Sequence, residues 1–188
     1  MFIQTEETPN PATLKFLPGR IVMPQGTADF RSREESARSP LACKLFDVQG
    51  VKGIFYGADF ITVSKDDDLD WAVLKPLILG AIMDHFVTHQ PLFYDETSAT
   101  SSPQGSPSAD DDDLTVQIKE ILDMRIRPAV AMDGGDIIFD RFEDGVLYVR
   151  MQGACNGCPS SSETLKSGIE NMLRYYVPEV LEVRNVEN

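Results

Sequence analysis

Two cysteines near the carboxyl end, Cys155 and Cys158, are the residues of this chain best suited to chemistry. They stand three positions apart in the loop Gly-Ala-Cys-Asn-Gly-Cys-Pro-Ser, residues 153–160. Two thiols at this spacing can bind one metal centre together, and the two glycines let the backbone wrap round it. If Pro159 takes the first position of a following helix, the unpaired amides and the helix dipole favour thiolate. The loop therefore predicts soft-metal chemistry.

The number of ligands decides what such a loop can bind. A cubane iron-sulfur cluster or a structural zinc needs four protein ligands, and the motif supplies two. The remaining cysteine, Cys43, falls on a predicted amphipathic helix, where core packing explains it. A two-fold dimer in which each subunit contributes Cys155 and Cys158 reaches four thiolates. We therefore expect a site that is shared between subunits, exposed and easily released.

Other interpretations of the cysteine motif, and other candidate sites in the sequence, are less well supported. A C-x-x-C at a helix amino end is also typical of thiol-disulfide exchange, but here the motif follows a predicted hairpin rather than the first strand of a βαβ unit. A c-type haem is disfavoured because Pro159 replaces the required histidine.

His85 and His89 could complete a zinc site, yet interaction with a helix dipole suffices to explain them. Asp133-Gly-Gly-Asp136 lacks P-loop and EF-hand features and indicates a helix-to-strand turn.

Composition narrows the class of protein. The net charge of −13 repels phosphate backbones, so nucleic-acid binding is not expected. Three cysteines argue against a disulfide framework and for a reducing compartment. The most apolar stretch, Leu77 to Met83, is too short to cross a bilayer, so no membrane association is expected. The first residues carry no signal or transit peptide features.

The chain divides at a Ser-, Pro- and Asp-rich stretch, residues 95–112, which predicts a flexible linker. We expect two small α+β domains, residues 1–94 and residues 113–188. The first should contain short strands near 2–5, 14–16 and 21–23, a helix opening at Ser39-Pro40 and a hairpin over 51–63. A helix over 70–89 should follow, and Pro76 should bend it or set its effective start. The second should contain a helix over 114–132 bent near Pro128, a hairpin over 137–152, the cysteine loop, a helix over 160–176 and a strand over 180–186.

The motifs resemble a known family. Residues 153–161, with Met-Asp-Gly-Gly-Asp at 132–136, resemble the C-terminal NifU-like domain of Nfu iron-sulfur proteins. Residues 7–16, with Ser-Pro-Leu at 39–41 and Gly-Val-Lys-Gly-Ile-Phe at 50–55, resemble the Nfu N-terminal domain. Together these segments cover nearly the whole chain in the expected order.

The resemblance implies a carrier or scaffold, not an enzyme. Such a protein holds a labile 4Fe-4S cluster between the subunits of a homodimer, with Cys155 and Cys158 in the ligand positions. It receives the cluster from an upstream donor and passes it to apo-proteins such as aconitase-like or lipoyl-synthase-like targets. The N-terminal domain is associated with partner recognition in this family. A mitochondrial relative would carry a presequence, so its absence favours a bacterial, cytoplasmic protein.

Three mechanisms are thus distinguished. In the favoured one, acceptor thiolates attack cluster iron and displace Cys155 and Cys158 in turn. A thiol-disulfide oxidoreductase would instead cycle the two cysteines in a monomer and turn over disulfide substrates. A binding module would capture partners through the N-terminal domain, with the cysteines dispensable.

Overall fold

The computed structural model describes residues 2–94, 113–156 and 161–186. It confirms two α+β domains. The predicted linker, residues 95–112, lies outside the described residues, as does the part of the cysteine loop that contains Cys158 and Pro159.

The N-terminal domain is a five-stranded antiparallel sheet with helices packed on one face. The strands follow the order β1-β2-β5-β4-β3. Its elements are β1 (Gln4–Glu7), β2 (Thr13–Leu17), β3 (Ala28–Phe30), α1 (Arg33–Ser36), α2 (Pro40–Phe46), β4 (Val51–Tyr56), β5 (Ile61–Lys65) and α3 (Trp71–Val87).

Local sequence signals explain most of these elements. Ser39 caps α2 by accepting a hydrogen bond from the Ala42 amide, and Pro40 follows it, as predicted. Asp70 caps α3 in the same way, and the helix continues through Pro76. The strand predicted over 21–23 is wrong, because the amides of Val22 and Met23 both donate to the single carbonyl of Ala58 rather than to a ladder.

The C-terminal domain packs helices against a three-stranded sheet of order β6-β7-β8, in which β8 runs parallel to β7. Its elements are α4 (Asp113–Ile121), a π-helical segment (Leu122–Ile126), α5 (Arg127–Met132), β6 (Gly135–Glu143), β7 (Val146–Gly153), α6 (Ser161–Tyr176) and β8 (Glu182–Asn185). None of the helices in the described ranges is long and apolar enough to cross a membrane.

The helix predicted over 114–132 is interrupted by its π-helical segment. Pro128 has no amide hydrogen to donate to the preceding turn, so one i→i−4 hydrogen bond is missing at this position. The irregularity therefore lies just before Pro128, where the sequence predicted a bend. The helical run ends at Asp133, and Gly134 adopts a φ of +82°, which starts the turn into β6.

Candidate functional site

The β6-β7 hairpin carries the cysteine loop. Gly135, the first residue of β6, pairs with Gly153, the last residue of β7. Gly153 has a φ of +64°, and its carbonyl accepts a hydrogen bond from the amide of Asn156. The amide of Ala154 donates to the carbonyl of Gly134 at 3.2 Å. The loop therefore leaves the sheet directly beside the Asp133–Asp136 turn.

Cys155 points into its own domain. Its side chain packs with the C-terminal core and is only 5% exposed. The expectation of an exposed site is thus not met at this residue, because the loop folds inward against the core. The other predicted ligand, Cys158, lies outside the described residues, so the pairing of the two thiols and their thiolate character remain predictions.

The N-terminal sheet reaches this region with side chains from its free face. Lys15, Thr62 and Phe55 are cross-strand neighbours on β2, β5 and β4. We call these three residues the outer sheet face, because the core residues alternate with them on the opposite face. Thr62 Oγ1 donates to the carbonyl of Gly134 at 2.7 Å, and Lys15 Nζ donates to the carbonyl of Met132 at 3.3 Å.

A second set of contacts joins the domains at Asp136. Its carboxylate accepts hydrogen bonds from Arg127 Nε at 3.1 Å and from Thr27 Oγ1 at 3.1 Å. Asp136 is buried, and it also accepts from the amide of Ile137 at 2.8 Å. The predicted turn is therefore present, and it additionally places a buried, paired carboxylate between the two domains.

The remaining candidate ligands lie elsewhere. Cys43 is half-buried, and its Sγ donates to the carbonyl of Ser36 at 3.1 Å. His85 is buried, and this burial together with nearby Lys44 lowers the pKa of its imidazole to about 4. His85 is therefore neutral at pH 7, so a charge interaction with the helix end does not explain it. Among the residues that the structure describes, no group of three or more His, Cys, Asp or Glu side chains could hold a metal ion.

The sequence did not identify Asn10, Lys15 and Thr62 as neighbours of the cysteine loop. Asn10 Nδ2 donates to the carbonyl of Ala154, the residue before Cys155, at 3.4 Å. The available signal was the alternation of Thr13 and Lys15 with apolar residues along β2. Alternation shows which residues share a face of the sheet, but it does not show what covers that face.

Comparison with known proteins identifies both halves of the chain. Residues 3–89 match the family described as "Scaffold protein Nfu/NifU N terminal", and residues 118–184 match the "NifU-like domain". The chain belongs to the Nfu family. The resemblance expected from the motifs is therefore confirmed for both domains of this Nfu chain.

Three relatives show the same relationship. The chain is 51% identical to the human "NFU1 iron-sulfur cluster scaffold homolog, mitochondrial", over 99% of this chain and 72% of that protein. It is 52% identical to "NifU-like protein 4, mitochondrial" of Arabidopsis thaliana, over 96% of this chain and 64% of that protein. It is 49% identical to the NFU1 homolog of Drosophila erecta, over 99% and 65% respectively. This Nfu chain thus spans about two thirds of the length of these relatives.

The predicted bacterial, cytoplasmic location is wrong. The relatives of this Nfu chain from human and Arabidopsis thaliana are named as mitochondrial proteins, which points to an organelle. The prediction depended on the absence of a presequence at the first residue. That reasoning fails because the chain spans only part of the length of proteins that carry the mitochondrial label.

Proposed function

We propose that this protein binds a labile 4Fe-4S cluster through Cys155 and Cys158 of two subunits and transfers it to apo-proteins. The observation that carries the proposal is the position of Cys155 at the end of the β6-β7 hairpin, within a NifU-like domain. Its relatives are named iron-sulfur cluster scaffolds. Their names support a scaffold role, and the two cysteines supply the chemistry for it.

Ligand number supports a shared site. A 4Fe-4S cluster takes four thiolate ligands, and one motif offers two. Cys43 lies in the other domain, where its thiol donates a hydrogen bond to the carbonyl of Ser36. Within the described ranges, no group of three or more His, Cys, Asp or Glu side chains could hold a metal ion. A second copy of the chain, related by a two-fold axis, would supply the remaining pair.

Transfer then proceeds by ligand exchange. The cluster is cargo: it arrives from a donor and leaves when acceptor thiolates replace Cys155 and Cys158 on its iron atoms. Each exchange forms one iron-thiolate bond and breaks another, so no substrate bond is transformed and no enzyme activity is required. We infer that donors and acceptors are iron-sulfur proteins of the compartment in which the relatives reside, the mitochondrion, and that the N-terminal domain contributes to recognising them.

The burial of Cys155 argues against the oxidoreductase alternative. A thiol that attacks disulfides must be accessible and must carry thiolate character. Cys155 is 5% exposed and packs among apolar side chains. Such surroundings slow disulfide exchange, whereas a cluster ligand needs to be uncovered only while the cluster is bound or transferred.

Anaerobic reconstitution with iron and sulfide, followed by iron analysis and native mass spectrometry, tests the proposal. We expect about four irons per dimer. Cys155→Ala and Cys158→Ala should each abolish the cluster. Cys43→Ala is the matched control and should retain it, because Cys43 belongs to the N-terminal domain. A metal-free or zinc-bound monomer that reduces disulfides would contradict the proposal.

A further inference from the structure

The outer sheet face is buried although it points away from the core of its own domain. Phe55 and Thr62 are each 1% exposed and Lys15 is 7% exposed. Their neighbours along the strands, such as Phe16 and Ile54, fill the core beneath the helices. Phe60 of the same domain covers part of this face, since its ring lies beside Phe55 and beneath Lys15 Nζ. Because side chains alternate across a strand, the rest of the face must be covered by something outside this domain.

The outer sheet face is covered by the Asp133–Asp136 turn and by the start of the loop that carries Cys155. The hydrogen bonds from Lys15 and Thr62 end on the carbonyls of Met132 and Gly134. A Cβ atom built on Gly153 would lie 3.0 Å from Cδ1 of Phe55, so this ring contacts the backbone two residues before Cys155. Asn10 Nδ2 donates a hydrogen bond to the carbonyl of Ala154, which lies between Gly153 and Cys155. The described segment that leads into Cys155 is therefore packed against the N-terminal domain.

We propose that the N-terminal domain holds the described segment 153–155 in its buried position, and that a second copy can reach Cys155 only after the two domains separate. This inference rests on the proposed function, because closure matters only if two loops must meet across a cluster. In the docked arrangement Phe55 contacts Gly153 and Asn10 donates to the carbonyl of Ala154, so the two residues before Cys155 are held in place. The outer sheet face thus restrains Cys155 within the same molecule.

Separation exposes Phe55 and breaks hydrogen bonds between the domains, but it leaves the apolar core of each domain intact. Each domain has its own apolar core, and neither core includes Phe55 or Thr62. The hydrogen bonds from Lys15 and Thr62 end on backbone carbonyls, which water can satisfy after opening. The connecting residues 95–112 can span roughly 60 Å when fully extended, so they permit complete undocking.

The rate at which iodoacetamide alkylates Cys155 in the apo-protein, measured by peptide mass spectrometry, tests this closure. In Thr62→Glu, a carboxylate would face the Gly134 carbonyl, and the hydrogen bond from the Thr62 hydroxyl to that carbonyl would be lost. We expect Cys155 to be alkylated roughly tenfold faster than in the wild type, because the docked state loses a buried hydrogen bond and gains repulsion. Thr88→Glu makes the same change at an exposed position at the end of α3 and should leave the rate unchanged.

Phe55→Ser provides a second opening variant, since Phe55 lies outside both cores, and circular dichroism checks that each variant is folded. A ratio below about threefold in both folded variants overturns the closure, whether alkylation is uniformly fast or uniformly slow. Uniformly slow alkylation would mean that the C-terminal domain alone shields the thiol. The measurement needs no cluster, so failure of all variants to bind iron would overturn the proposed function separately.

Discussion

The sulfur atom of Cys155 lies directly against the backbone of Gly135. A Cβ atom built on Gly135 would come within 2.6 Å of this Sγ and within 2.6 Å of the Gln152 carbonyl oxygen. Gly135 is therefore required for space, because its hydrogen leaves room for the thiol. Gly134, by contrast, has a φ of +82° and is favoured for its conformation. Two adjacent glycines thus serve the same loop for different physical reasons.

Gly135→Ala should destabilise the C-terminal domain and disturb the position of Cys155. The added methyl group must displace the thiol or the backbone of β7, which costs about 1–3 kcal/mol. We expect a lower urea midpoint and a lower iron content after anaerobic reconstitution. Gly168→Ala is the matched control. A Cβ atom there meets nothing within 4 Å, and alanine should stabilise α6 by about 0.5–1 kcal/mol. Equal stability and iron content for the two variants would contradict this interpretation.

Asp136→Asn should lower the free energy of unfolding more than a typical charge removal. The carboxylate is buried and bonds to both Arg127 and Thr27, so the substitution leaves a partly buried guanidinium paired only with the more exposed Asp123. We expect a loss of about 2–4 kcal/mol, measured by urea denaturation.

Asp123→Asn supplies the comparison for Asp136→Asn, because it removes a second carboxylate that contacts the same Arg127. Asp123 is largely exposed and pairs with Arg127 at i,i+4 spacing. Its loss should cost about 0.5 kcal/mol or less. If the two substitutions cost the same, the burial of Asp136 contributes nothing to its pairing.

The elements that local chemistry specifies could be predicted from the sequence. Ser39-Pro40 begins α2 as expected, because an N-cap oxygen followed by proline satisfies a helix start without help from tertiary structure. The β4-β5 and β6-β7 hairpins follow from alternating apolar residues and turn residues. The division into two α+β domains is confirmed for the same reason, since each half carries a complete set of local signals.

What depends on contacts distant in sequence could not be predicted. The three residues of β3, Ala28–Phe30, form a strand only because β4 offers a free edge. Cys155 is buried within the C-terminal core by a loop whose preceding residues contact Asn10 and Phe55, and Thr62 is buried by the docking of the other domain. A polar residue in an alternating strand predicts a solvent-exposed side chain. The local sequence does not distinguish a face that contacts solvent from one that another domain covers.

Because of His85, the free energy of unfolding should decrease as the pH falls below neutrality. Burial holds its folded-state pKa near 4, whereas the unfolded value is about 6.5. Between these values the unfolded chain binds more protons, so the stabilisation is complete above about pH 6.5 and is lost progressively towards pH 4. The slope should approach 1.4 kcal/mol per pH unit, measured by urea denaturation across this range.

The variant His85→Leu should flatten this part of the pH profile, since it removes the titrating group. His89→Asn is the control. His89 is exposed, and asparagine tolerates its positive φ of 51°, so the pH dependence should be retained. A profile for His85→Leu that follows the wild type would show that other groups determine the acid sensitivity.

Ser39→Ala should destabilise the N-terminal domain beyond the ordinary effect of losing a helix cap. Ser39 Oγ accepts a hydrogen bond from the Ala42 amide and lies 3.1 Å from the buried hydroxyl of Tyr56. Alanine leaves both groups unsatisfied, at a cost of about 2 kcal/mol. Ser32→Ala removes the more exposed cap of α1 and should cost about 0.5–1 kcal/mol. Thermal unfolding of both variants measures the difference, and equal losses would show that the Tyr56 contact adds no stability.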